Sequence, residues 1–471
     1  MMRRSPGLTL VVLLLAGCSF IPDYQQPSPT VASHWRDASP QGDAVPLPDW
    51  RKVFLDPELQ RLIELARAHN HDLQVAVLRI DEARALYGIS TADQWPTGGI
   101  DGSVQRQKIS AADSPTGKAV IREQGQFRLG VTAFELDLWG RVRALKTEAG
   151  QRLVAREEDA LSVGISLVGE VATAYYEHRA YLELHQQNRQ LLERAGESKR
   201  LIGRRQEFGL ASELELRQAD TLALTLEAEM ADAARQQGLA LNRLELLVGT
   251  TLDPARLSSG EWREGPPLPE IAPGLPSELL VRRPDIRAAE GRLKAFNANI
   301  GAARAAFLPS ISLTGFFGVS SPQLSELFSG EAKGWSFTPA VTLPLFDMGR
   351  RFVQLELSKV QREIAVVEYQ RSIQQAFREV ADALASNEPL NRQLNAQQRL
   401  VLNESRRVEL AQLLHQDGLN SYLEVLDAQR GLSTAQQALI RTRLLQVGNR
   451  IALYKSLGGG WSEEDGTRGT S

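Results

Sequence analysis

Apolar residues recur at every seventh position along the longest predicted helix, residues 142–207, which no proline interrupts. This spacing is typical of helices that pack as coiled coils. At 1.5 Å per residue the helix extends roughly 100 Å, more than three times the roughly 30 Å hydrocarbon core of a bilayer. Charged residues occur throughout it, so we expect it to stand in water against neighbouring helices. The repeating positions are Leu153, Ala160, Leu167, Ala174, Tyr181, Ala195 and Ile202.

Alternating apolar and polar positions predict two β-hairpins, 98–107 with 126–137 and 310–319 with 336–346. Residues between the alternating positions are mostly polar or small. This alternation fits a transmembrane barrel strand, apolar toward lipid and polar toward a lumen, but it also fits an ordinary sandwich strand. The alternating residues are Phe127, Leu129, Val131 and Ala133, and Ile311, Leu313, Gly315 and Phe317.

The chain is internally duplicated. A first set of residues recurs at a constant offset of 213, and a later set recurs at an offset of 209. The change from the first offset to the second falls in the predicted loops near 105–125 and 320–334, because loop length varies freely. The matches are Asp72 with Asp285, Gly88 with Gly301, Pro96 with Pro309, Gly140 with Gly349, Gly209 with Gly418, Leu214 with Leu423, and Gly249 with Gly458.

The duplication divides the chain into two repeats, residues 57–249 and 276–457. Each repeat is predicted to hold an opening helix (57–92 or 276–306), a hairpin (98–137 or 310–346), a very long helix and a returning helix. Residues 250–275 are rich in prolines that we expect to break any helix. With the segment 18–56, they are predicted to form an equatorial belt. Residues 458–471 begin with three glycines and are predicted to be a flexible tail.

Composition narrows the class of protein. Charged residues make up 24% of the chain and the formal net charge is −3, so nothing suggests a nucleic-acid partner. The single cysteine, Cys18, follows a positive start, a short apolar run and the small residues Ala16 and Gly17. That order predicts a lipoprotein signal peptide over 1–17. Cys18 would then carry S-diacylglycerol and N-palmitoyl groups. Because Ser19 and not Asp follows, we expect the lipid in the outer membrane.

Four strands in one chain are too few to close a membrane barrel. An open sheet edge in lipid leaves backbone groups unpaired, at several kcal/mol each. Two chains would supply about eight strands, and side chains would fill the lumen of so small a barrel. Three chains would supply about twelve strands around an open lumen. Passage of a solute therefore favours a homotrimer.

Several stretches resemble the outer-membrane efflux factors of TolC/OprM type, in the lipoprotein branch that serves resistance-nodulation-division pumps. The resemblance covers nearly all of the mature chain. It implies a mixed fold with a transmembrane β-barrel of twelve strands per trimer and a long antiparallel α-helical barrel across the periplasm. The implied partners are a periplasmic membrane-fusion adaptor, an inner-membrane pump and outer-membrane lipid. The stretches are Arg282-Arg283-Pro284-Asp285-Ile286, Phe307-Leu308-Pro309-Ser310-Ile311, Tyr422-Leu423-Glu424-Val425-Leu426-Asp427-Ala428 and Gly458-Gly459-Gly460-Trp461.

The resemblance also places a gate at the periplasmic helical tip. Leu423, Glu424, Asp427 and Arg430 share one helix face, and the resemblance implies an apolar collar and carboxylate rings there. From spacing alone, these residues equally fit an ordinary acidic helix start with Arg430 as partner of Asp427. The helix-tip turns and adaptor contacts are predicted at Gly209, Leu210, Glu215, Gly418 and Leu419. Asn420 and His415 depart from the family, which puts one inter-protomer lock to Glu215 in doubt.

Other classes of function remain for comparison. A duct for type I secretion would share the architecture, and a periplasmic coiled-coil scaffold lipoprotein would share the long helices. An enzyme would need several polar side chains that converge on one site. The six histidines show no metal-ligand or triad spacing. We therefore expect no catalysis, no metal and no cofactor beyond the covalent lipid. The exported substrate, whether drug, metal ion, aromatic compound or peptide, is not encoded in any motif.

Overall fold

The computed structural model describes residues 19–28, 35, 48–257, 268 and 279–460. The predicted signal peptide, Cys18, most of the segment 250–275 and residues 461–471 lie outside these ranges. Within them the helices are α1 (Trp50–Val53), α2 (Pro57–His69), α3 (His71–Ala92), α4 (Arg141–Glu207), α5 (Glu213–Val248), α6 (Pro254–Leu257), α7 (Leu279–Arg282), α8 (Pro284–Ala305), α9 (Arg350–Gln416) and α10 (Tyr422–Ser456).

Four strands form one antiparallel sheet in the order β1-β2-β3-β4. Each predicted hairpin is present, and the pairing of β2 with β3 joins the two repeats through one sheet. A bulge lies between Val131 and Phe134, where Ala133 has a φ of 51°. The strands are β1 (Gly98–Ile109), β2 (Val120–Glu135), β3 (Ser310–Ser321) and β4 (Lys333–Thr342).

The opening helix of each repeat is broken, which corrects the single helices predicted over 57–92 and 276–306. Asn70, which is 4% exposed, separates α2 from α3. Its Oδ1 accepts a hydrogen bond from the backbone N of Leu73 at 2.9 Å, so it caps α3. In the second repeat, Arg283 separates α7 from α8. Pro284 marks the second break, because a proline disfavours the helical conformation in the residue before it.

The two breaks make equivalent contacts, so the duplication extends to tertiary structure. Asn70 Nδ2 donates to the carbonyl of Leu247 at 3.0 Å, and Arg283 Nη1 donates to the carbonyl of Ser456 at 2.8 Å. Residues 70 and 283 differ by the earlier sequence offset, and 247 and 456 by the later one. Each repeat therefore ties the break in its opening helix to the end of its returning helix.

The first of two compact units comprises the described part of Met1–Ser28 with Ile80–Arg156 and Ala288–Gln370. It contains the sheet, and residues 19–28, here called the N-terminal strap, lie along α8. Asn297 Nδ2 donates to the carbonyl of Pro22 at 2.7 Å, and Tyr24 Oη donates to Glu290 at 3.0 Å. A Cβ at Gly301 would lie 2.6 Å from Ile21, whereas its repeat counterpart Gly88 has nothing within 4 Å. The strap therefore packs against α8 of the second repeat, and nothing occupies the equivalent space at Gly88 in the first repeat.

The second compact unit comprises the described parts of Pro29–Arg79, Glu157–Arg287 and Arg371–Ser471. Its largest apolar core joins α1 and α2 to the middle of α4 and the ends of α5 and α10. Within this unit, the heptad positions of α4 are buried at Leu167, Ala174, Ala195 and Ile202. The one heptad position between Tyr181 and Ala195 that is not apolar is Asn188, which is also buried. Its Oδ1 accepts a hydrogen bond from Gln437 at 3.3 Å.

Two further expectations are wrong. Pro254 does not prevent a helix, because it is the first residue of the one-turn α6. Proline lacks a backbone N–H, but an N–H at this position has no hydrogen-bond partner within the helix. Residues 458–460 do not belong to a flexible tail, since all three glycines are buried. The backbone N of Gly460 donates to Tyr454 Oη at 2.9 Å, and Gly460 pairs with Asp49 in a β-bridge.

Candidate functional site

One face of the sheet is apolar and exposed. The register aligns Ile100 with Leu129, Leu129 with Phe317, and Phe317 with Trp335, so one row of large apolar side chains crosses all four strands. All four side chains are exposed. A solvent-exposed apolar row of this size is costly in water, whereas it is the usual outer surface of a transmembrane strand.

The opposite face of the sheet is polar. Arg128 Nη2 lies 3.1 Å from Asp101 Oδ1. Gln126 Nε2 donates to Ser103 Oγ at 2.7 Å. These pairs link β1 to β2 across the strands. The face would suit the aqueous lumen of a barrel, as the alternation in the sequence predicts.

Both hairpins of long helices end in turns of the same form. α4 and α5 meet at Gly209, and α9 and α10 meet at Gly418, each with a φ of 72°. Glycine adopts this left-handed conformation without the steric cost that a Cβ imposes. The next residue in each turn projects into solvent, since Leu210 is 69% exposed and Leu419 is 73% exposed.

Glu215 caps the start of α5. Ser212 Oγ accepts a hydrogen bond from the backbone N of Glu215, and Glu215 Oε2 accepts one from the backbone N of Ser212 at 2.7 Å. This capping box satisfies two backbone donors of the first turn. In this structure the Glu215 carboxylate therefore stabilises the tip of its own hairpin.

The four residues predicted for the gate lie together on α10. Leu423, Glu424, Asp427 and Arg430 are all exposed, whereas Val425, Leu426 and Ala428 are buried. The i, i+3 and i+4 spacings thus place them on one free face beside the tip.

Asp427 does not pair with Arg430, which corrects the ordinary i,i+3 pairing considered from the sequence. Its Oδ2 accepts a hydrogen bond from Arg407 Nη2 on the antiparallel helix α9. Arg407 Nη1 also contacts Glu404 Oε2 at 3.3 Å. These hydrogen bonds raise the pKa of the Arg407 guanidinium. Two carboxylates thus share one cation between the two helices of the hairpin.

Gly431 permits this arrangement. A Cβ at Gly431 would lie 2.5 Å from Glu404 Oε2 and 3.3 Å from Arg407 Nη1. The missing side chain leaves room for both groups against α10. Sequence spacing on α10 could not reveal Glu404, Arg407 or Gly431 as a set, because the three meet only through the register of two antiparallel helices.

His415 and Asn420, where the sequence departs from the resembled family, contact each other. His415 Nδ1 lies 3.1 Å from the carbonyl oxygen of Asn420, and His415 Nε2 lies 3.1 Å from Arg205 Nη1 on α4. The imidazole also packs edge-on against Tyr422, with ring centroids 5.1 Å apart. The contact of His415 with Arg205 therefore connects the tips of the two hairpins within one chain.

Among the described residues, no three His, Cys, Asp or Glu side chains are grouped so as to hold a metal ion. In the same part of the chain, none of the helices has a stretch both long and apolar enough to cross a membrane.

Comparison with known proteins places this geometry in a family. The family described as outer membrane efflux protein matches residues 62–250 and 275–459. A probable efflux pump outer membrane protein, TtgC of Pseudomonas putida, is 42% identical over 470 residues, covering 98% of this chain and 96% of TtgC. Outer membrane protein OprJ of Pseudomonas aeruginosa is 39% identical over 456 residues, covering 96% and 95% of the two chains.

Solved structures agree. A membrane protein from Pseudomonas aeruginosa superposes with a TM-score of 0.89 at 39% identity, covering 94% of this chain and 98% of the other. The open state of the MtrE outer membrane channel of Neisseria gonorrhoeae gives 0.84 at 33% identity, covering 94% and 98%. Fold and sheet surface thus define an outer-membrane channel. The chain belongs to the outer membrane efflux protein family.

Proposed function

We propose that this chain forms the exit duct of a tripartite efflux pump, as a homotrimer gated at its periplasmic tip. The observation that supports this most directly is a sheet with one apolar face and one polar face. Its two outer edges, on β1 and β4, have no partner strand in the described part of the chain. Those edges would lose several kcal/mol per unpaired group in lipid. Strands of neighbouring copies would pair them, and an open lumen needs about twelve strands.

An unpartnered apolar seam on α9 supports association of identical copies. β4 leads through residues 343–349 into α9, whose first turns expose apolar residues at alternating spacings of four and three. This spacing is the coiled-coil pattern, and a helix of a second copy would cover it. The seam residues are Val353, Leu357, Val360, Ile364 and Val367.

A charge within the seam tests the trimer. We expect Ile364→Glu protein to lose the heat-resistant trimer that detergent extracts from outer membranes, as seen by electrophoresis without boiling. Lys359→Glu introduces the same charge on the same helix outside the seam, and we expect its trimer to persist. Intact trimers in both variants would count against the assembly.

A periplasmic adaptor and an inner-membrane resistance-nodulation-division pump are the proposed partners. The exposed Leu210 and Leu419 at the two glycine turns are the proposed adaptor contacts. Their apolar side chains would be covered in a docked complex, which favours binding. Photocrosslinkers at these positions should capture the adaptor, and crosslinkers at Arg235, exposed near the middle of α5, should not.

Lipid on Cys18 is proposed to aid anchoring while the barrel alone largely suffices. The N-terminal strap supports this, since its contacts with α8 fix the chain close to the predicted lipidation site. Cys18→Ser protein should remain mostly in the outer-membrane fraction. Its complete loss from that fraction would contradict the proposal.

Closure of the duct is proposed to depend on Leu423, Glu424, Asp427 and Arg430. Three copies of each around a narrow axis would form an apolar collar and rings of charge that attract cations and exclude anions. We expect Asp427→Ala trimers to show a higher single-channel conductance than wild type in planar bilayers. Unchanged conductance would rule out the gate role of Asp427.

A further inference from the structure

The apolar face of the sheet changes to positive charge at one end. Alternate residues of a strand share a face, so Val104 and Lys108 lie on the same face of β1 as Ile100. On β4, Lys333 lies on the same face as Trp335 and is the first residue of the strand. Both lysines are exposed. Each outer strand of the sheet therefore carries a lysine at the last position of the apolar face.

This end of the sheet lies away from the helices. α3 precedes the start of β1 and α4 follows the end of β2, so the loop 110–119 lies at the opposite end of that hairpin. The loop 322–332 between β3 and β4 lies at the same end, because all neighbouring strands are antiparallel. In an outer membrane efflux protein the helices extend into the periplasm. The end with the two loops, here called the outer end, therefore faces the outer leaflet.

The two lysines at the outer end are available to a ligand. Within the described residues, neither Lys108 nor Lys333 forms an ion pair. Arg106, on the same face, has a partner, because its Nε lies 2.9 Å from Glu123 Oε1. The carboxylates of the two loops also contact neither lysine in this part of the chain, and they belong to Asp113, Glu326 and Glu331.

Assembly brings the two lysines to the same pair of strands. In the proposed homotrimer, β4 of one copy pairs with β1 of the next. β1 runs toward the outer end and β4 runs away from it, so the two strands pair as antiparallel neighbours. Lys333 of one copy and Lys108 of the next then lie at the outer end of one strand pair. Each junction between copies therefore has two lysines above an apolar surface.

We propose that each junction binds the phosphate groups of an outer-leaflet lipid of the lipid A type. The acyl chains of such a lipid would cover the apolar residues of the two strands, among them Val104 and Trp335. The long lysine side chains keep their methylene groups on that surface while the ammonium groups reach the phosphates. A free phosphate would use the lysines but leave the apolar surface uncovered. The inference rests on the proposed homotrimer.

Native mass spectrometry of delipidated, detergent-extracted protein tests this site, because the mass reports both the copies in the assembly and the lipids bound. The probe is lipid A with both phosphates, compared with dephosphorylated lipid A and with inorganic phosphate. We expect one lipid A at each junction of the wild-type trimer. Lys108→Gln or Lys333→Gln should each weaken its binding about fivefold. Removal of the phosphates from the lipid should weaken binding to the wild-type protein at least as much.

Arg122→Gln is the matched control. Arg122 follows Ile121, the residue opposite Lys108, so it lies at the same height on the polar face. Arg122 is exposed and forms no ion pair within the described residues. Its substitution removes the same charge from the other side of the sheet, and lipid A should bind this variant as it binds the wild type. Equal weakening by Arg122→Gln would assign the effect to net charge and overturn the site.

The remaining outcomes separate this site from the duct. Trimers that bind lipid A equally well with and without both lysines would contradict the site and leave the duct standing. Undiminished binding of dephosphorylated lipid A would also overturn the site, because apolar contact alone would then explain it. Inorganic phosphate that binds as tightly as lipid A would replace the lipid by a free anion. A spectrum of monomers would contradict the proposed duct, and the site would fail with it.

Discussion

Asp427 on α10 is held by Arg407 on α9, the antiparallel helix of the same hairpin. The carboxylate proposed to narrow the pore is therefore fixed by a cation outside the exposed row of gate residues. Arg407 also contacts Glu404, so the orientation of Asp427 depends on both helices of the hairpin. The gate is consequently a property of the paired helices, and residues away from the pore axis should control it.

Loss of the Arg407 side chain should loosen the gate. In Arg407→Ala trimers the Asp427 carboxylates lose their shared cation and repel one another across the axis, so we expect a few-fold rise in single-channel conductance. Arg406→Ala is the matched control, because Arg406 pairs with Glu409 on its own helix at 2.7 Å. Equal conductance of the two variants would contradict this role for Arg407.

A methyl group at Gly431 should have a similar effect. Alanine stabilises a helix interior by up to about 1 kcal/mol relative to glycine. At Gly431 the added Cβ would displace Glu404, whereas Gly448 on the same helix has nothing within 4 Å. We expect Gly431→Ala to raise conductance without stabilising the trimer, and Gly448→Ala to leave conductance unchanged. Bilayer recordings and thermal denaturation measure the two effects, and indistinguishable variants would refute the close approach.

The two returning helices should respond differently to loss of their N-cap serines. Ser212 forms a capping box, whereas the side chain of its counterpart Ser421 makes no cap hydrogen bond. Ser212→Ala should cost about 1 kcal/mol of local stability. Hydrogen exchange should then accelerate in the first turn of α5, while Ser421→Ala leaves the first turn of α10 nearly unchanged. Equal acceleration in both would argue against the capping box.

Acid should weaken the second compact unit through His178. Burial, with a smaller effect of Arg179, lowers the pKa of His178 in the folded chain. The unfolded chain then binds more protons below the usual imidazole pKa of about 6.5, so the contribution of His178 to stability is present above that value and lost as the pH falls. His178→Gln should reduce the acid dependence of the denaturation midpoint, measured by circular dichroism. If the acid dependence of the denaturation midpoint were unchanged in His178→Gln, other groups would be its cause.

The two very long helices, the returning helices and the hairpins could be predicted because they depend on local patterns. The predicted turns at Gly209 and Gly418 are present in the structure. Most of the predicted heptad positions of α4 are buried. The breaks at Asn70 and Arg283 could not be predicted from apolar periodicity, which continues through them. Pro284 accounts for the second break locally, because a proline disfavours the helical conformation in the residue before it. The contacts of the two breaks with the carbonyls of Leu247 and Ser456, each more than 170 residues away in sequence, could not be predicted.

Sequence alone indicated the family, through stretches that resemble it. It also determined the duplicated order of elements and the exposed face of Leu423, Glu424, Asp427 and Arg430, because periodicity and repeats are encoded along the chain. Only the tertiary structure decided which residues hold that face. Arg407 reaches Asp427, and Arg205 reaches His415, through the register of antiparallel helices and the packing of two hairpins. Such contacts depend on where distant segments lie in space, which no local spacing specifies.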